Sequence, residues 1–214
     1  MHLSGGYTIL THMKLTGFYF FNPPKDTKYL RLIFKLDKNH VLALSDLRRF
    51  AKVVVIKTRD LNKSIHLENI GPEPLEKSFT YPLFKARLLT KPRGKIKTVL
   101  MDPSVIAGIG NIYSDEILWR AGVHPTSIVS KIPDKNMKGM FKAMKAVLKK
   151  GIDFGGDSMS DYFNVYGLRG RFQEHHRAYQ RTGEKCHKDK GVIKRLVVQG
   201  RSAHFCPVHQ KLFK

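Results

Sequence analysis

Lys97-Thr98-Val99-Leu100-Met101-Asp102 and Ala107-Gly108-Ile109-Gly110-Asn111-Ile112-Tyr113 decide how this chain is read. The first stretch predicts a helix over residues 95–101, and the second predicts a glycine-punctuated turn followed by a helix over 111–121. Two glycines just before a helix let the backbone come close to a ligand, and the first-turn N–H groups then face an anion. Asn111 can add a side-chain contact, and Lys97 is available to the same phosphate. A Gly-x-Gly alone is a weak signal, because many helices begin after a glycine turn. The preceding helix turns it into a helix–two-turn–helix unit.

Outward from this unit the chain divides in character. Before residue 57, short β-branched or aromatic runs (7–11, 18–21, 30–36, 41–44, 53–56) alternate with turns at Gly5-Gly6, Asn22-Pro23-Pro24 and Asp37-Lys38-Asn39. That pattern predicts an antiparallel β-sandwich. Met1–Ser4 run straight into the Gly5-Gly6 turn, so the strand that should pair with 7–11 is expected to be mostly absent. From residue 78 onward helices dominate, the first predicted over 81–89. Met137, Met140, Phe141, Met144, Val147 and Leu148 form the apolar stripe of an amphipathic helix, and lysines occupy its outer face. The glycine-rich stretch 151–156 is expected to end that helix. The fold class is α+β: a truncated β-sandwich over 1–76, a helical domain over 77–180 and a β-hairpin finger over 181–214.

The charge points to a polyanion. The 39 Lys and Arg outnumber the 17 Asp and Glu, giving +22. Residues 1–90 carry 15 basic and 7 acidic side chains and the remainder 24 and 10, so the excess is not a tail. A hydrophobic fraction of 42% excludes a disordered basic chain. No apolar run approaches the ~20 residues that span a bilayer, and the start has no signal-peptide pattern. The expectation is a monomeric nucleic-acid-binding protein of the cytoplasm and nucleoid.

Cys186 and Cys206 are too few for a disulfide framework. Each stands three residues before another ligand type, Asp189 and His209 respectively, and Val192–Gln199 has strand character between them. Two thiolates, a carboxylate and an imidazole can complete a tetrahedron around Zn2+ on a hairpin. His187 is an alternative fourth ligand, and two buried free thiols are the plain alternative. Seven basic residues lie within 181–201, which would set such a finger against phosphate.

Taken together, Lys97-x-x-Leu100-Met101-Asp102, Gly108-Ile109-Gly110-Asn111-Ile112-Tyr113-x-x-Glu116 and Ala121-Gly122-Val123-His124-Pro125 resemble the helix–two-turn–helix signature of the formamidopyrimidine-DNA glycosylase/endonuclease VIII family. Other blocks follow in the family's order: His12–Gly17, Asp46-Leu47-Arg48-Arg49-Phe50, Gly71-Pro72-Glu73-Pro74-Leu75, Gly155-Gly156-x-Ser158-x-x-Asp161-Tyr162, Gly170-x-Phe172-Gln173 and Gly200-Arg201-Ser202. Arg48 and Phe50 favour the formamidopyrimidine branch. The resemblance implies a base-excision repair protein that flips a damaged nucleotide out of duplex DNA. Leu15, Arg48 and Phe50 then match the side chains that fill the gap, with Leu15 where the family usually has Met. Lys97, Asn111 and Arg201, with Gly108 and Gly110, match the phosphate clamp. The 163–172 loop, with Gly167, Arg169 and Gly170, matches the flexible segment that covers the flipped base. The implied partner is double-stranded DNA containing oxidised or abasic sites, and the implied cofactor is Zn2+.

Two departures accompany the resemblance. The family's nucleophile is an N-terminal proline followed by glutamate, and no catalytic residue of that kind is found here. Pro72-Glu73 is a decoy, because an internal proline nitrogen is an amide with no lone pair to donate. The expectation is therefore a chain lacking the family's first segment. Two readings follow: a bifunctional glycosylase/AP lyase for oxidised purines whose opening is missing, or a non-catalytic, zinc-dependent binder of distorted duplex. An RNA-binding protein is a remoter third. The second departure is Asp189 and His209, where the family's finger usually has cysteines.

Overall fold

Short β-branched and aromatic runs form five antiparallel strands in the first part of the chain: β1 (Tyr7–His12), β2 (Gly17–Phe21), β3 (Leu30–Lys35), β4 (Val41–Asp46) and β5 (Lys52–Lys57). A computed structural model describes residues 1–159 and 162–214, so Asp161 of the motif quoted above lies outside the described residues. The strands make two sheets, β1–β5 and β2–β4–β3. β1 does have a full-length partner, contrary to expectation: Tyr7 pairs with Lys57 and His12 with Lys52. The Gly5-Gly6 turn, with φ near +73° and +76°, folds the first residues back on β1. The Ile9 N–H there donates to the Met1 carbonyl.

The described residues fall into two compact units, 1–68 with 153–173, and 69–152 with 174–214. Segment 153–173, counted with the helices in the sequence reading, thus belongs with the sheets. The first unit buries few apolar side chains, among them Ile9, Ala43, Leu44 and Phe172. Thr8, Ser45 and Asp46 are buried beside them.

The second unit holds α1 (Tyr81–Leu89), α2 (Ile96–Leu100), α3 (Asn111–Ala121), nearly all of α4 (Asp134–Asp153) and a hairpin of β6 (Lys194–Val198) with β7 (Arg201–Phe205). Phe79, Phe84, Leu88, Ile96, Leu100, Ile117, Leu118, Met140 and Met144 are almost wholly buried. The α4 stripe therefore faces the core, as its spacing predicts. α4 ends at Asp153, inside the glycine-rich stretch 151–156, as expected. A Cβ at Gly151 would overlap the Tyr113 ring, so this glycine lets α3 and α4 pack closely. Among the described residues no helix is long and apolar enough to cross a membrane.

Candidate functional site

The turn between α2 and α3 is braced from two sides. Asp102 caps it: its carboxylate accepts from the Ser104 N–H (2.9 Å) and hydroxyl (2.6 Å) and pairs with Lys91. Burial would raise the Asp102 pKa, but these partners outweigh it and bring it to about 2. The Gly71-Pro72 segment runs alongside, with the Gly71 N–H donating to the Pro103 carbonyl (2.7 Å) and the Ala107 N–H to the Pro72 carbonyl (3.1 Å). A Cβ at Gly71 would overlap the Val105 backbone, which accounts for that glycine. Pro72 thus has a structural task at this turn.

Gly108 is left-handed (φ +74°), and Gly110 stands at the start of α3 with no side-chain cap. Gly110 has φ −102°, and a Cβ there would meet nothing within 4 Å. Neither backbone conformation nor internal packing demands a glycine at 110. Such an uncapped helix start leaves its first-turn amides to an external acceptor. Asn111 follows, its Oδ1 buried with no partner among the described residues.

Lys97 is not displayed to solvent. Its side chain is 0% exposed, and the ammonium donates to Asp115 Oδ1 (2.5 Å), Ser114 Oγ (3.1 Å) and the Asn111 carbonyl (3.3 Å). Burial pushes the Lys97 pKa down, against the opposing pull of Asp115. The other Asp115 oxygen accepts from the His204 N–H and lies 2.9 Å from its Nδ1. Lys97 on α2, Asp115 on α3 and His204 on β7 therefore form one buried polar bridge between the turn and the hairpin. Arg201 opens β7 and is exposed. The preceding Gln199-Gly200 turn is left-handed at both residues (φ 46° and 77°), the geometry of a tight two-residue hairpin.

In the other unit, Leu15 and Phe50 stand out from two loops, 71% and 50% exposed. Leu15 tips the β1–β2 turn, where the Gly17 N–H donates to the Met13 carbonyl (3.0 Å). Arg48 lies in the β4–β5 loop rather than in a strand, its guanidinium 4.6 Å above the Phe50 ring. One buried carboxylate fastens both loops. Asp46 accepts from Thr16 Oγ1 (2.5 Å), the Arg48 N–H (3.3 Å) and the Ala51 N–H (2.8 Å). Burial would raise its pKa, yet these donors, with the Phe50 backbone, hold it below the ordinary carboxylate value.

Beside Leu15, a recess of about 510 Å³ is lined by residues including Met13, Phe18, Tyr19, Tyr162 and Phe163. Phe163 packs edge-on against Phe18 (6.0 Å), with the Arg169 guanidinium 5.4 Å from its centroid. Gly167 (φ +75°) turns the chain, and Asn164 closes that turn by accepting from the Tyr166 and Leu168 N–H groups at 3.0 Å. Gly170 is pinned: its N–H donates to Ser158 Oγ (2.8 Å), and a Cβ would overlap the Gly156 carbonyl. Its glycine therefore serves a backbone crossing.

The cysteines converge with their spaced partners. Donor atoms of Cys186, Asp189, Cys206 and His209 all lie within 4.8 Å of one another, a group able to hold a metal ion. Exposed His187 lies outside it. Cys206 Sγ is 3.2 Å from Asp189 Oδ1, and His209 Nδ1 is 2.6 Å from Asp189 Oδ2 and 3.5 Å from Cys186 Sγ. Burial raises the Cys206 pKa, so without an ion its sulfur carries a proton that metal would displace. Gly191 is required here, since a Cβ would overlap Cys206 Sγ and Asp189.

Sequence reasoning missed Asp46, Asp115, His204 and Glu116 as organisers. The Glu116 carboxylate is buried and accepts the Arg177, Ala178 and Tyr179 N–H groups at 2.9–3.0 Å. The available signal was Asp115-Glu116 inside an otherwise apolar helical face, where a charge needs a partner.

The chain matches the family models of the formamidopyrimidine-DNA glycosylase N-terminal domain over residues 1–53 and its H2TH domain over 70–163. It is 34% identical over 216 residues to the formamidopyrimidine-DNA glycosylase of Heliobacterium modesticaldum, covering 99% of this chain and 78% of that one. The Bacillus subtilis enzyme is 34% identical over 202 residues, covering 94% and 73%. Among solved structures, the Thermus thermophilus MutM (Fpg) protein superposes with a TM-score of 0.86 at 32% identity, covering 99% of this chain and 78% of that one. Lactococcus lactis Fpg in complex with DNA containing an abasic site gives 0.84 at 31%, covering 96% and 75%. With both family models matched in order and relatives over 30% identical along nearly the whole chain, this chain belongs to the formamidopyrimidine-DNA glycosylase family.

Proposed function

We propose that this chain recognises duplex DNA containing oxidised or abasic sites in base-excision repair. The observation that carries the reading is Gly110: neither φ nor packing requires glycine there, so its use is to let a phosphate reach the start of α3. The unpartnered Asn111 Oδ1 fits a turn completed by a ligand or its hydration. Solved relatives in complex with abasic-site and Fapy-dG DNA support the same substrate class. In this reading Asn111, the turn amides and Arg201 grip phosphates, and Lys97 acts from within by fixing α3. Leu15, Arg48 and Phe50 fill the space of the displaced base, and the 163–172 segment, with Arg169, faces it. Unstacking that base costs a few kcal/mol, which the inserted side chains offset in part.

We assign Zn2+ to Cys186, Asp189, Cys206 and His209. Bonds of about 2.3 Å to sulfur and 2.0 Å to nitrogen put tetrahedral ligand atoms roughly 3.3–3.8 Å apart. The 3.2–3.5 Å sulfur separations lie close to that range, and the 2.6 Å His209–Asp189 pair would open slightly to meet it. The ion would hold the basic hairpin in shape. Bond cleavage is assigned to none of the 214 residues.

Binding of this chain to abasic and intact duplexes across a salt series tests the reading. The abasic duplex should bind more tightly, and Arg201→Ala should lower the salt slope by about one unit on both duplexes. Equal affinity for the two duplexes would refute lesion recognition. A borohydride-trapped adduct on abasic duplex would overturn the assignment of no cleavage chemistry.

A further inference from the structure

We propose that Trp119, the only tryptophan of the chain, is the positioning residue of the metal centre and links it to α3. The proposal rests on the metal reading of the Cys186 cluster. Trp119 lies in the last turn of α3 and is 7% exposed, packed with Cys186, Ile193 and Cys206. Its indole N–H donates to Cys186 Sγ at 3.4 Å. Its carbonyl lies 2.9 Å from His209 Nε2 and can only accept, so Nε2 carries the proton. That choice turns His209 Nδ1 toward Asp189 and Cys186 as the ligating nitrogen. The indole also stands edge-on to the His209 ring at 5.5 Å.

One residue therefore orients two of the four donors by separate means, the indole for sulfur and the peptide carbonyl for imidazole. An N–H···S bond fixes the direction of the sulfur, and a fixed imidazole orientation removes an ordering cost from metal binding. Lys188 completes the arrangement, its ammonium 4.6 Å from the indole centroid and 2.8 Å from the Arg120 carbonyl. The same helix starts at Asn111, so one rigid element carries the glycine turn at one end and the metal support at the other.

Trp119→Phe removes the N–H and keeps both an aromatic ring and the carbonyl. Full-length wild type and variant are titrated with Co2+, and Zn2+ affinity is read by competition with a chromophoric chelator. The expected result is metal affinity at least about tenfold weaker in the variant, with the thiolate-to-cobalt absorption band displaced in wavelength. A purely structural role would leave the band where it is. Equal affinity with an unmoved band overturns the inference about Trp119 and leaves the metal reading standing. No cobalt spectrum in wild type overturns the metal reading itself. Should the variant fail to fold, Zn2+ titration of wild type followed by its single-tryptophan emission decides. A saturable change at one equivalent supports the proposal, and constant emission while metal binds refutes it.

Discussion

The helical unit and the sheet unit are built on different terms. The first buries Phe79, Phe84, Leu88, Ile117, Leu118 and Met140 almost completely, whereas the second leaves Leu15, Ile33, Phe50 and Val55 half or more exposed. In the helical unit apolar burial fixes the backbone, and that backbone carries the uncapped start of α3. In the sheet unit the two loops that carry Leu15, Arg48 and Phe50 are held by hydrogen bonds to one carboxylate, Asp46. Burial of a large side chain is worth about 1.5–3 kcal/mol, against about 0.5–1.5 for a single hydrogen bond. Rigidity in the sheet unit therefore depends on several bonds meeting at one residue.

Large-to-small substitutions test the contrast most strongly. Phe84→Ala should lower stability by about 3–5 kcal/mol in denaturant titration, because it opens a cavity in a fully buried cluster. Ile33→Ala, at a side chain 59% exposed, should stay within about 0.5 kcal/mol. Similar losses at the two positions would mean that the sheet unit hides more apolar surface in solution than its strands show. Asp115→Ala should cost a further-ranking but still large amount, about 3 kcal/mol or more, since it strands the Lys97 ammonium among buried atoms. A loss under about 1 kcal/mol would show that the Lys97 ammonium swings out to water once Asp115 is gone.

The contrast also explains what the sequence made legible. α1 and α3 match the residues predicted for them, and the α4 stripe is buried, because a 3.6-residue apolar period survives in any packed helix. The convergence of Cys186, Asp189, Cys206 and His209 was readable because each cysteine stands three residues before its partner, on either side of a hairpin. Lys97 was read only as a group available to phosphate, because the fold partners Asp115 and Ser114 that turn its ammonium inward lie about seventeen residues on and leave no local signal. The β1–β5 pairing was missed because the partners are some forty-five residues apart and no local pattern encodes the register. Asp46 was quoted in a motif yet given no task, since its donors come from two loops that meet only in the folded chain.

Asp46→Asn addresses the sheet unit directly. An amide offers one acceptor where the carboxylate offers two, so a backbone donor from the Arg48–Ala51 loop is left facing an N–H group. The expected stability loss is about 1–2 kcal/mol. Preference for abasic over intact duplex should fall more than total affinity does, because Leu15, Arg48 and Phe50 lose their common anchor. An unchanged preference would mean that these loops are ordered by DNA itself, and the sheet unit would then need no anchor.

Asp102 provides the smallest effect and checks the contrast from the opposite side, because it is a polar anchor inside the helical unit. Its pKa of about 2 lies below the ordinary 3.8, so folding favours the ionised form. Its contribution is fully present above the unfolded value and is lost as pH falls from about 4 through 2. After allowance for solvent screening of the Lys91 pair, about 1 kcal/mol should disappear over that window. Asp102→Asn should remove this segment of the pH–stability profile while leaving the profile above pH 5 parallel to wild type. If the substitution instead lowers lesion-independent DNA affinity at neutral pH by tenfold or more, the α2–α3 turn depends on its polar brace as much as the sheet loops depend on Asp46. Burial would then set the frame of both units, and single carboxylates would set the working loops of each.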